Sequence, residues 1–185
     1  MAGILRVDQA NVDYIYAKTS GAAVYIPGHI IQVQQTDLLS VWSATSATPV
    51  DVTGLSVSIT PKSASSKILI YVSMNIGVGD DNYVYTLLMR NGVAVGSGTG
   101  ASGNRVNCFL SITQTALGTP NTWRIHNVNR SFLDSPATTS TLTYKIQMAS
   151  PYLTAAMYLN RQSNDGDNSL VQRPGSCISA MEIAQ

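Results

Sequence analysis

The sequence predicts an all-β, antiparallel sandwich, and three observations carry that prediction. Leu142, Tyr144, Ile146 and Met148 alternate with Thr143, Lys145 and Gln147, which is the two-residue period of a strand with one face buried. Asn91-Gly92 separates two apolar runs, and this pair suits a type I′ hairpin turn, which needs positive φ at both central residues. No run long enough for three helical turns places apolar residues at i, i+3 and i+4, so no amphipathic helix is expected.

The elements follow in order. Residues 1–26 hold Ile4, Leu5, Val7, Val12, Tyr14, Ile15 and Tyr16, but Asp8 and Asp13 interrupt a stretch already too short to bury a core. Pro27-Gly28 then marks a turn. It divides the chain into a short extended amino-terminal arm, 1–28, and a sandwich domain, 29–185. The arm is expected either to dock on another protein, through the apolar residues just named, or to wrap its own oligomer. Short β-like runs are expected at 29–35, 55–60, 67–78, 82–90, 93–95, 105–113, 124–133, 142–148, 155–159 and 177–183.

Run 67–78 carries a further clue. Ile68, Ile70, Val72, Met74 and Ile76 form one apolar face, while Leu69 and Tyr71 make the opposite face partly apolar too. A strand facing water on that side would alternate more cleanly. Another strand layer or a neighbouring subunit is therefore expected to cover it. Pro136 has no N–H to give a ladder, so the strand holding Phe132 must leave the sheet there and return at 142–148. Strands of this number and length fit a two-sheet sandwich of the jelly-roll kind. No internal repeat supports a propeller or solenoid.

Composition narrows the class of partner. The chain has 185 residues, enough to bury a core without disulfides or metals. Charged residues make up 11% and the net charge is +1. Against a typical charged fraction of ~25% this surface is polar but barely charged, which favours association into a symmetric oligomer. Lys and Arg are scattered rather than clustered, so no nucleic-acid partner is expected. No apolar stretch is long enough to insert in a membrane as a helix. Cys108 and Cys177 lack metal-type spacing and read as buried small apolar residues, with a disulfide between them left open.

Chemistry-bearing motifs are sparse. Gly98-Thr99-Gly100-Ala101-Ser102-Gly103 matches G-x-G-x-x-G, but the dinucleotide fingerprint needs a following helix, and 105–113 reads as a strand. A hairpin loop is expected instead of a cofactor site. Asn164-Asp165-Gly166-Asp167-Asn168 lacks the ligand order of a calcium loop and reads as a solvated tip, as does Gly79-Asp80-Asp81-Asn82. His29 and His126 are the only side chains with an ordinary pKa near neutrality, no G-x-S-x-G elbow exists, and Glu182 lies in a terminal strand without a partner carboxylate. No enzyme, metal or cofactor is expected. Tyr83, Trp123 and Tyr152 fall beside turn signals, where an exposed ring could stack on a sugar; rings of this size more often serve a core or interface.

Several longer words carry a family resemblance. Phe132-Leu133-Asp134-Ser135-Pro136, then Thr138-Thr139-Ser140 and Thr143-Tyr144-Lys145-Ile146-Gln147, are followed by Tyr158-Leu159-Asn160-Arg161 and a terminus Ile178-Ser179-Ala180-Met181-Glu182-Ile183-Ala184. Preceded by Val52-Thr53-Gly54-Leu55 and Ser65-Ser66-Lys67-Ile68, they resemble the carboxy-terminal domains of bacteriophage fibre and virion-surface proteins. The resemblance spans roughly residues 50–185. It implies a homotrimeric, jelly-roll-like knob on the virion surface, assembled in the host cytoplasm, with capsid or tail proteins as partners. It implies a structural role as capsid decoration, head fibre or short appendage tip, or adsorption to a host surface glycan, with glycan hydrolysis as an outside reading.

Overall fold

The computed structural model describes residues 26–79, 82–114, 122–151 and 156–185. Among them are eleven strands and no helix: β1 (Ile30–Leu38), β2 (Trp42–Ala44), β3 (Val50–Ile59), β4 (Lys67–Val78), β5 (Asn82–Arg90), β6 (Val93–Val95), β7 (Leu110–Gln114), β8 (Ile125–Asp134), β9 (Leu142–Ala149), β10 (Met157–Leu159) and β11 (Ser176–Ile183). The arm expected at 1–28 lies outside the described residues up to position 25, as does Tyr152.

Two antiparallel sheets result. In the first, β4 is central: β8 pairs with one side, while β11 takes the first half of the other side and β10 the second. β1 extends β11, and β2 extends β10. In the second sheet β9 lies between β3 and β5, and β5 carries β7 and β6 on its far side. The β5–β6 hairpin turns at Asn91-Gly92, with φ of 48° and 87°, the pairing of positive angles that a type I′ turn requires.

The core lies between the sheets. Ile68, Ile70, Val72, Met74 and Ile76 of β4 are fully buried, and Tyr144, Ile146 and Met148 of β9 are fully buried in the opposing sheet. Leu142 joins them at 3% exposure. Both alternating faces read from the sequence therefore point inward, each such side chain contributing about 1.5–3 kcal/mol of transfer free energy. The other face of β4 has no further strand layer over it among the described residues: Tyr71 is 38% exposed and Leu69 half-buried.

Some boundaries differ from the sequence pattern for local reasons. β3 starts at Val50, ahead of the expected 55, because Gly54 at φ 90° forms a bulge that shifts the register between Asp51 and Ser56. β7 starts at Leu110, well after the expected 105, because residues 96–109 close a loop on themselves: Gly98 N–H donates to Cys108 O at 3.0 Å, and Ala101 N–H donates to the Asn107 side chain at 3.0 Å. β2 is too short to show a period. The turn at Pro136 is not a return to the same sheet. β8 belongs to the first sheet and β9 to the second, so the chain crosses the sandwich there, with Ala137 at φ 53°.

That crossing is fastened by one carboxylate. Asp134, the last residue of β8 and 6% exposed, accepts hydrogen bonds from Tyr144 Oη at 2.7 Å, from Arg90 Nη1 at 2.7 Å to either oxygen, and from its neighbour Ser135 N–H at 2.8 Å. Arg90 and Tyr144 are cross-strand partners on β5 and β9, so a first-sheet carboxylate is held by a second-sheet pair. Burial pushes the Tyr144 hydroxyl strongly up, and the neighbouring carboxylate adds to the shift, so it stays a donor.

A second carboxylate closes the same end. Glu182 and Asp134 flank Ile68 from β11 and β8, and all three point inward. Fully buried Glu182 accepts from Gln32 Nε2 at 2.6 Å and from the backbone N–H of Lys62 at 2.7 Å, which ties the β3–β4 connection to the first sheet. Burial alone would raise its pKa, but these bonds and that of Ser63 N–H outweigh it, so the carboxyl titrates below the usual glutamate value of 4.5. A depressed folded-state pKa stabilises the fold fully above the unfolded value, and this contribution is lost as pH falls through the folded value. Denaturant midpoints should therefore drop on acidification below about pH 4.5, and Glu182→Gln should be destabilised at pH 7 yet show a shallower acid drop. Parallel acid profiles for the two proteins would contradict this.

Candidate functional site

At the opposite end of β4 the 160–175 connection between β10 and β11 forms a loop held from several sides. Asn160 begins it at φ 62°, a conformation asparagine tolerates better than most residues. Its amide donates to Leu38 O at 2.7 Å and Ser40 O at 2.9 Å, its side-chain oxygen accepts from Ser176 Oγ at 2.5 Å, and its own N–H donates to Asn75 O at 2.8 Å. Gly77 on β4 lies directly under the next residue. A Cβ there would sit 2.1 Å from Arg161 O, so only glycine admits this approach.

Gln162 then draws two loops together. Its Nε2 donates to Trp123 O at 2.8 Å and to Leu170 O at 3.2 Å, while Asn164 N–H donates to Thr122 O at 2.9 Å. The segment preceding β8 and the 160–175 loop therefore lie side by side. Trp123 is 42% exposed and Leu170 is 65% exposed. Around them Arg161 lies over the Tyr158 ring, 4.4 Å from its centroid, and pairs with Asp165 at 2.9 Å; Arg173 pairs with the same carboxylate. Asx turns at Asn164 and Asn168 shape the tip. The Trp123 ring and the Leu170 side chain are thus exposed on neighbouring loops, while the guanidinium groups of Arg161 and Arg173 are paired with the Asp165 carboxylate.

The sequence-named aromatics are distributed as follows. Trp123 is in this surface. Tyr83, 39% exposed, stands at the start of β5, at the same end of the sandwich because β4 ends and β5 begins there. Leu170 and Gln162 were not singled out by the sequence, since a lone Leu in a polar loop and a buried Gln have no local pattern.

The remaining motifs gain structural context. Gly98–Gly103 lies in the β6–β7 loop, and its first four residues line an open depression of about 240 Å³ with Arg105 and Cys108; a strand rather than a helix follows. In the 164–168 tip, Asp165 pairs with two arginines, Arg161 and Arg173. Among the described residues no group of three or more His, Cys, Asp and Glu could hold a metal ion. His126 is paired with Ile76 and Glu182 with Ile68, eight residues apart along β4, so they share no site. Burial, with help from Arg124, lowers the His126 pKa. Cys108 and Cys177 are free thiols, half-buried rather than buried as expected: Cys177 lies on the outward side of β11, between Ser73 and Asp37. Burial, then the Asp37 charge, pushes its thiol up.

No protein-family model matches this chain, and no curated protein matches it. Gly77→Ala should cost at least about 1–3 kcal/mol, because two backbones must separate. It should also shift the emission of Trp123, read in a Trp42→Phe background. Unchanged stability and emission would contradict the proposed pinning of the loop.

Proposed function

We propose that this chain is a bacteriophage virion structural protein. In this reading it is a trimeric jelly-roll sandwich, held on the particle by its amino-terminal arm and displayed outward as a capsid decoration, head fibre or short appendage tip. The observation that carries the reading is the strand order. The order β1-β11-β4-β8 facing β3-β9-β5-β7 is the one expected of two interleaved Greek keys, which supports the jelly-roll reading. The words that resemble phage virion-surface domains fall on residues that build this arrangement: Asp134 and Tyr144 join the sheets, and Asn160 and Arg161 pin the distal loop.

Polarity along the sandwich supports tethering at one end and display at the other. The arm joins β1 opposite Ile183 and Lys67, at the end closed by Asp134 and Glu182. Trp123, Leu170 and Tyr83 stand at the far end. The same observation favours a second reading, in which that far surface contacts a host glycan and the protein is an adhesin.

Removing residues 1–26 should leave a soluble, folded protein that no longer joins virions, as measured by immunoblotting purified particles; continued incorporation would overturn the docking role. On otherwise normal particles, Trp123→Ala should leave adsorption unchanged under the structural reading. A tenfold or greater loss of adsorption would decide for the adhesin.

A further inference from the structure

The outward side of the first sheet is unusual in its composition. Strand register places Val33 of β1, Met181 of β11, Leu69 of β4 and Leu133 of β8 in one continuous cross-strand row. Paired residues in antiparallel strands share a face, and the alternate positions Ile68, Ile70 and Ala180 are buried inside, so this row points away from the core. Val33 is 50% exposed and Leu133 is 47% exposed. The row below adds Ile183 and Ile30, the latter 47% exposed, and the row above adds Tyr71.

Isolated apolar side chains on a surface are ordinary, but a contiguous band across four strands marks an interaction surface. We propose that this face is a contact surface for a second copy of this chain, centred on the row Val33, Met181, Leu69 and Leu133. The inference rests on the self-association proposed above and names the surface that would carry it.

Charge selects the occupant. Across the outward positions of these four strands the only charged residues are Lys67 and Asp37, at opposite ends, so the face is neutral and offers nothing to steer an acidic or basic partner. Beyond the apolar band it carries Gln35, Ser131, Ser73 and Asn129, while Ser179 is buried and donates to Gln35 Oε1 at 2.8 Å. Amides and hydroxyls both donate and accept hydrogen bonds, so such a face can meet the polar surface of a neighbouring copy around a threefold axis as readily as across a twofold. A chain net charge of +1 leaves little repulsion between copies.

The size is adequate as well. Four strands about 4.8 Å apart, each about nine residues at about 3.4 Å, give on the order of 500 Å² in plan. That is the scale of a specific interface, which covers about 800 Å² per partner once standing side chains are counted.

The test is the mass of the full-length protein in solution by size exclusion with light scattering. Wild type should run as a multiple of 19.7 kDa, and Leu133→Lys should run as a single chain, its dissociation constant raised at least tenfold. Val33→Lys, on another strand of the same row, should reproduce this. Val93→Lys, at a 63% exposed position on β6 of the other sheet, should leave the assembly intact. Because Leu133 and Val33 are already half exposed, unchanged circular dichroism is expected for all three variants. A wild-type oligomer that survives both Lys substitutions would overturn this surface while leaving self-association standing. A wild-type monomer at micromolar concentration would overturn both. A dimer that Leu133→Lys dissociates would keep the surface and contradict the trimer.

Discussion

Asp134 is where the two sheets of this protein are joined, and much of the fold is arranged around keeping it satisfied. A β-sandwich needs its two sheets to hold one relative position, and apolar packing alone is tolerant of small slides. A buried carboxylate is not tolerant. It must keep its partners or bear a desolvation cost of several kcal/mol. Asp134 has the Tyr144 hydroxyl, the Arg90 guanidinium and the Ser135 amide around its two oxygens, and the first two belong to the opposing sheet. The joint therefore specifies which residue of β8 faces which pair on β9 and β5.

The surrounding sequence follows from that requirement. Pro136 stops β8 just after the carboxylate, and the crossing that begins there delivers Tyr144 to the facing sheet within ten residues. Phe132, two positions before Asp134, packs against Gly96, where a Cβ would come within 2.8 Å of the ring. Glu182 repeats the device on the other side of Ile68, fastening Gln32 and the backbone after β3. Together they close the end of the sandwich where β1 begins. The far end is built differently, by backbone approach at Gly77 and side-chain bridges from Asn160 and Gln162, which leaves its loops on a rigid frame with Trp123 and Leu170 outside it.

Much of the scaffold was legible because strand burial imposes period two. The bounds of β4, β5 and β6 coincide with the runs read from the sequence, and the apolar faces of β4 and β9 are the buried ones. What was not legible had a physical reason in each case. β2 spans Trp42–Ala44, too few residues to show a period. The 105–109 segment looks like a strand locally but bends back through bonds to Asn107 and Cys108. Local pattern also could not show that the Pro136 turn changes sheets, since pairing partners are distant in sequence. At the candidate site, Trp123 was legible as an aromatic beside turn residues, whereas Leu170 and Gln162 acquire meaning only from the bridge between two loops. The partly apolar outer face of β4 was visible in Leu69 and Tyr71, but its extension to Val33, Met181 and Leu133 depends on register.

A double-mutant cycle with Asp134→Ala and Tyr144→Phe, read by denaturant unfolding, measures the inter-sheet joint directly. Loss of the carboxylate should cost about 3–5 kcal/mol, because Arg90 and the Tyr144 hydroxyl are left without their acceptor. The two substitutions should couple by about 1–3 kcal/mol, since the hydroxyl loses its value once the carboxylate is gone. Additivity within about 0.3 kcal/mol would show that the sheets are positioned without this bond and would contradict the account.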